Sequence, residues 1–138
     1  MTITYRDDAS PSREDLVSLY DSVGWSAYTD DPERLSRAVS ASLRVVTAWD
    51  DEQLVGLARV VGDGLTIVYL QDILVAPRLQ RAGLGRELVA RVLEPFHDVR
   101  QKVLLTDDEP GQLAFYACLG FTRVQDLEYP LNAFVRLG

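Results

Sequence analysis

The chain has 138 residues, 47% of them hydrophobic and 25% charged, the balance of a globular protein with one core, so a single domain over residues 1–138 is expected. Its 14 basic and 21 acidic residues leave a net charge of −7, which argues against nucleic acid as a partner. No apolar run approaches the ~20 residues that cross a membrane. One cysteine, Cys118, rules out an intrachain disulfide or a cysteine metal cluster, and the lone histidine, His97, speaks against a metal site. The opening residues carry no basic flank followed by an apolar segment, so a cytoplasmic protein is expected.

Thr2–Tyr5 alternates β-branched and aromatic residues and predicts a short strand. Ser10-Pro11 predicts a helix start, serine as N-cap and proline in the first turn, with Leu16, Leu19, Tyr20 and Val23 on its apolar face. Gly24 ends it. Asp31-Pro32 repeats the start signal ahead of Leu35, Ala38, Val39 and Leu43. The loop between, residues 24–31, holds Trp25 and Tyr28, which either cap the core with polar tips outward or line a binding pocket.

Arg44–Trp49, a turn at 50–53 and Leu54–Val61 read as strand, turn, strand, and Gly62-Asp63-Gly64 closes a hairpin into a long strand, Leu65–Val75. Gly85–Leu93 has helical spacing and Pro95 ends or kinks it. Lys102–Thr106 predicts a buried strand, parallel to Leu65–Val75 because a helical crossover precedes it. Residues 107–110 open a fourth helix with acidic residues at its positive end, and Gly120 closes it, with Cys118 expected as buried filler. In the tail, residues 122–137, Pro130 divides two expected edge strands, where a homodimer could pair. The fold class is α/β (α+β): a mixed, mostly antiparallel central sheet with about four helices.

The junction Val75–Arg86 is the most informative stretch. A strand runs into a glycine loop and a helix start, where backbone N–H groups lack intrahelical partners and the helix dipole is positive. Gly83 and Gly85 let an anion approach those donors, and Arg78, Arg81 and Arg86 add positive charge. The junction reads as an anion site.

Gln80-x-x-Gly83-x-Gly85 resembles the pyrophosphate loop of the GCN5-related N-acetyltransferase (GNAT) superfamily, and no dinucleotide or P-loop pattern occurs. Downstream, Tyr116-x-x-x-Gly120-Phe121 resembles that superfamily's Tyr-x-x-x-Gly-Phe segment. The resemblance implies a central sheet whose parallel strand pair splays to admit acetyl-CoA, and transfer of an acetyl group to an amine in a ternary complex. It implies that backbone groups of Ile73, Leu74 and Val75 hold the pantetheine arm and thioester, and that Gln80, Arg81, Ala82, Gly83, Leu84, Gly85 and Arg86 hold the pyrophosphate. Tyr116 is then the acid for the departing thiolate, a phenol that keeps its proton at neutral pH. No metal is implied.

A carboxylate near the reacting centre is expected at Asp72, to accept the amine proton or orient a cationic acceptor, with a bound water as the alternative base. Relatives often carry glutamate one residue earlier, where this chain has Gln71. Strand alternation puts Gln71 and Asp72 on opposite faces, unless a bulge intervenes. The acceptor is expected to be a small-molecule amine beside Trp25 and Tyr28, in keeping with the acidic charge. The other readings are a peptide acceptor or a non-catalytic acyl-CoA sensor.

Overall fold

The chain lays down its sheet in strand order. In the computed structural model, which describes residues 2–138, β1 (Ile3–Arg6) precedes three helices, α1 (Arg13–Ser22), α2 (Ser26–Thr29) and α3 (Pro32–Ser40). Next come β2 (Arg44–Asp50), β3 (Gln53–Gly62), β4 (Ile67–Val75), α4 (Leu84–Leu93), β5 (Gln101–Val103) and α5 (Pro110–Cys118). The sheet order is β1-β2-β3-β4-β5, antiparallel throughout except for the parallel β4–β5 pair. The chain divides into two compact units, one ending at Leu105 and the other Thr106–Gly138.

In the first unit both faces of the sheet are covered. On one, Leu16, Leu19 and Tyr20 of α1 and Leu35 and Val39 of α3 pack with Leu54, Leu57 and Leu74. Each such leucine contributes about 1.5–3 kcal/mol of burial free energy. On the other face α4 lies so close to β3 that a Cβ on Gly56 would stand 2.9 Å from Leu88 Cδ1.

Helix starts follow their caps. Asp31 accepts from the Arg34 N–H and Pro32 begins α3, as expected. For α1 the cap is Ser12, which accepts from the Asp15 N–H, and not Ser10. The loop at 24–31 contains the single turn α2, which raises the helix count to five. Pro95 sits in a 3-10 turn, Glu94–Phe96, that ends α4.

β5 corrects a second expectation. It spans three residues rather than Lys102–Thr106 and is largely exposed, because as the edge strand it has a neighbour on one side only. In the second unit Glu109 caps α5 by accepting from the Gly111 and Gln112 N–H groups, and Gly120, at φ 92°, follows its end. The tail holds one 3-10 turn, Val124–Asp126, and no strand among the described residues, and Cys118 is exposed.

The β3–β4 turn is held by one carboxylate. Asp63 accepts from the N–H groups of Leu65, Thr66 and Ile67 and from the Thr66 hydroxyl, which hold its carboxyl well below the usual carboxylate range. A depressed carboxylate contributes stability that is complete above its unfolded value, about 3.9, and drains as pH falls through the folded one. Asp63→Asn is therefore expected to be less stable than wild type at pH 6, with the gap closing between pH 4 and pH 2 in chemical unfolding; a constant gap would contradict this.

Candidate active site

The sheet opens at one point. β5 pairs with β4 only at Ile67–Tyr69, whereas β3 follows β4 to Val75. Ile73, Leu74 and Val75 thus have β3 partners on one side and no strand on the other. An unpaired strand edge is a template for an extended, amide-bearing ligand.

The open edge runs straight into the glycine loop. Pro77–Leu79 forms a 3-10 turn, Arg81 and Gly83 take positive φ of 66° and 87°, and α4 begins at Leu84 with no side-chain cap. The N–H groups of Leu84, Gly85 and Arg86 therefore have no intrahelical acceptor; the first helical bond is from the Glu87 N–H to the Gly83 carbonyl. A run of backbone donors with left-handed residues inside it makes an anion-binding concavity. Arg81 and Arg86 are exposed and in no ion pair among the described residues, and Ala82 is exposed beside them.

Two side chains of the loop brace it. Gln80 Nε2 donates to the Val75 carbonyl at 3.1 Å, folding the loop against the strand end. Arg78, expected as free positive charge, donates instead to Asp50 and Gln53, each at 2.9 Å, and pins the loop to the β2–β3 turn.

Beside the open edge lies a buried polar cluster. Pairing shifts register between Arg59 and Val60, so Gln71 is an extra residue in β4. That bulge overturns the simple alternation, because Gln71 and Asp72 both reach the Tyr28 hydroxyl. Asp72 Oδ1 accepts from it at 2.9 Å, and Gln71 Nε2 donates to its oxygen at 3.2 Å. Asp72 Oδ2 accepts from Arg59 Nε at 2.6 Å and from the Tyr20 hydroxyl at 2.9 Å. Arg59 and Asp72 are 5% and 3% exposed, and Ser42 Oγ accepts from the guanidinium.

The electrostatics follow. Burial, then the Asp72 charge, pushes the Tyr20 phenol far above its usual value, and burial raises Tyr28 as well. Burial is the largest influence on Arg59 and would lower it, but the Asp72 charge and hydrogen bond, with Tyr20 and Tyr28, together leave it raised. Asp72, expected as the carboxylate that takes the amine proton, is committed to three donors, one of them a buried cation.

Trp25 and Tyr28, both half-buried, pack around Tyr20 with ring centroids 5.1–6.0 Å apart. Tyr69, at the last β4–β5 pair, is half-buried, and burial raises its phenol. In the second unit Tyr116 is buried edge-on to Phe115 and Phe121, at 5.0 and 6.1 Å, and burial pushes its phenol up to about 12. Sequence reasoning missed Tyr20 and Arg59 as members of the cluster. The signal for Arg59 was an arginine inside an otherwise apolar strand, a position that demands a buried partner.

A cleft lined by Asp7, Ser10, Ser42, Leu43, Arg44 and Phe96 opens beside the first residue of β2, and none of the residues proposed for the site lines it. Among the described residues no group of three or more His, Cys, Asp or Glu could hold a metal, and no helix is long and apolar enough to cross a membrane.

Residues 24–130 match the acetyltransferase (GNAT) domain family. The chain belongs to the GNAT family. It is 34% identical over 114 residues to the uncharacterized N-acetyltransferase ycf52-like of Prochlorococcus marinus, covering 78% of this chain and 61% of that protein. Serotonin N-acetyltransferase 2, chloroplastic, of Oryza sativa subsp. japonica is 32% identical over 99 residues, covering 68% of this chain and 49% of that protein. The chain thus spans less than two thirds of the length of these curated relatives. A solved GNAT-family acetyltransferase of Streptococcus pneumoniae superposes with a TM-score of 0.86 at 33% identity, covering 99% of this chain and 98% of that one. The fold is also that of AAC(6')-Iy, solved in complex with the bisubstrate analog CoA-S-monomethyl-acetylneamine, with a TM-score of 0.74 at 16% identity over 100% of this chain and 99% of that one.

Proposed function

We propose that the chain works as one acetyl-CoA-dependent N-acetyltransferase domain that moves the acetyl group to the primary amine of a small molecule, by direct transfer in a ternary complex. The observation that carries this reading is the continuity of the open β4 edge with an uncapped helix start and two arginines in no ion pair among the described residues. An extended pantetheine amide chain fits the edge at Ile73, Leu74 and Val75, and a pyrophosphate fits the donors and charge of residues 81–86. A backbone N–H of β4 aimed at the thioester oxygen would stabilise negative charge as it develops there.

Tyr116, from its place in the motif, is the proposed donor to the departing sulfur. A phenol near 12 is a weaker acid than a thiol, with a usual value of about 8.5, so it works best by hydrogen bonding to the sulfur as charge builds. The amine loses its proton to a bound water, because the Arg59 pair occupies Asp72. Asp72 instead orients Tyr28 beside Trp25, where an amine with an apolar body fits. That same occupation of Asp72 favours the second reading, a non-catalytic acyl-CoA sensor.

Calorimetric titration of coenzyme A tests the cofactor site. Arg81→Glu is expected to weaken binding about tenfold or more, the worth of one charge-assisted contact plus the added repulsion. Affinity unchanged from wild type would remove the loop from the site.

A further inference from the structure

We propose that the Tyr28 hydroxyl oxygen is the seat for the acceptor's amine N–H, that the Gln71 amide occupies this seat until the amine displaces it, and that Asp72 and Arg59 are positioning residues that fix the hydroxyl's polarity. This rests on the amine-acetyltransferase reading and adds to it which atom receives the amine.

A carboxylate only accepts, so both phenols touching Asp72 donate to it. The Tyr28 proton is thereby committed inward, and its remaining lone pairs can serve only a donor. An N–H already sits there: Gln71 Nε2, 3.2 Å from the oxygen, on an exposed side chain. The Tyr28 hydroxyl lies between the buried Asp72 and the exposed Gln71, which puts its oxygen at the border between core and solvent. Behind it the polarity is locked, because Arg59 Nε at 2.6 Å and the Tyr20 hydroxyl at 2.9 Å hold the other carboxylate oxygen.

The charged pair cannot itself receive the amine, being 5% and 3% exposed. The rings of Trp25, Tyr28 and Tyr20 lie 5.1–6.0 Å apart and offer an apolar wall next to the seat. That combination suits a primary amine on an aromatic or alkyl body. The rings attract either cation, so the hydroxyl seat alone favours the one with an N–H.

The test compares 2-phenylethylamine with 2-phenylethyltrimethylammonium, equal in charge but lacking N–H, by calorimetric titration in the presence of coenzyme A. Wild type is expected to prefer the primary amine, and Tyr28→Phe to lose about tenfold in amine affinity while the quaternary ion binds as before. Gln71→Ala, which removes the competing donor, is expected to tighten the amine. Asp72→Asn, measured on its folded fraction, is expected to lower the amine preference to that of Tyr28→Phe, which a purely structural role would not do. An unchanged amine preference in Tyr28→Phe, or weaker amine binding in Gln71→Ala, overturns the proposal. Tyr28-dependent amine binding without thiol release would keep the seat and refute the enzyme; turnover with an unchanged preference would do the reverse.

Discussion

Arg59→Ala is expected to destabilise the protein by about 3–5 kcal/mol, because it strands the Asp72 carboxylate in the core beside two phenols. Against a typical total of about 5–15 kcal/mol this is a large fraction, and the urea midpoint should fall accordingly at an unchanged slope. The size comes from the uncompensated charge and not from the worth of the pair. Replacing both partners, Arg59→Met with Asp72→Leu, is therefore expected to recover only part of the loss, because the buried Tyr20 hydroxyl is left without its acceptor. It should still unfix Tyr28, whose proton would no longer have an acceptor. A drop of less than about 1 kcal/mol for Arg59→Ala, the range of exposed pairs, would show that water reaches the cluster.

Tyr116→Phe is expected to lower kcat about 100-fold with little change in the KM for acetyl-CoA, since the lost contact belongs to the departing sulfur and not to the bound thioester. An unchanged urea midpoint separates this from a packing defect, and the pH profile tests the protonation state of the hydroxyl. With its phenol up to about 12, Tyr116 stays protonated across the working range, so wild type should show no falling limb from this residue below about pH 10. The variant should run parallel to wild type at lower rate. A wild-type limb near pH 9 that disappears in Tyr116→Phe would mean that the hydroxyl ionises in the active enzyme and that burial does not govern it.

What the sequence disclosed depended on how local the cause was. The Val75–Arg86 junction was legible because glycine spacing, arginines and the change from strand to helix all lie within twelve residues. The Asp31-Pro32 start was legible for the same reason. The bulge at Gln71 was not, because it exists only in the pairing of β4 with β3, and without it Gln71 and Asp72 could not meet on Tyr28. Arg59 was half legible: its place in an apolar strand demanded a partner but did not say which carboxylate. Ser10 and Ser12 flank the same proline and both could cap, and the choice fell to the one that reaches the Asp15 N–H. Edge strands proved hardest, since β5 and the tail depend on what lies beside them more than on their own residues.

The proposed transfer of acetyl from acetyl-CoA to a small amine is tested by thiol release from acetyl-CoA across a panel of arylalkylamines, polyamines, amino acids and short peptides. Release is expected to depend on protein and amine together and to be greatest with a small amine bearing an apolar body. Release only with peptides would move the acceptor class, and coenzyme A binding with no release from any amine would rule out the transferase and leave the acyl-CoA sensor in its place.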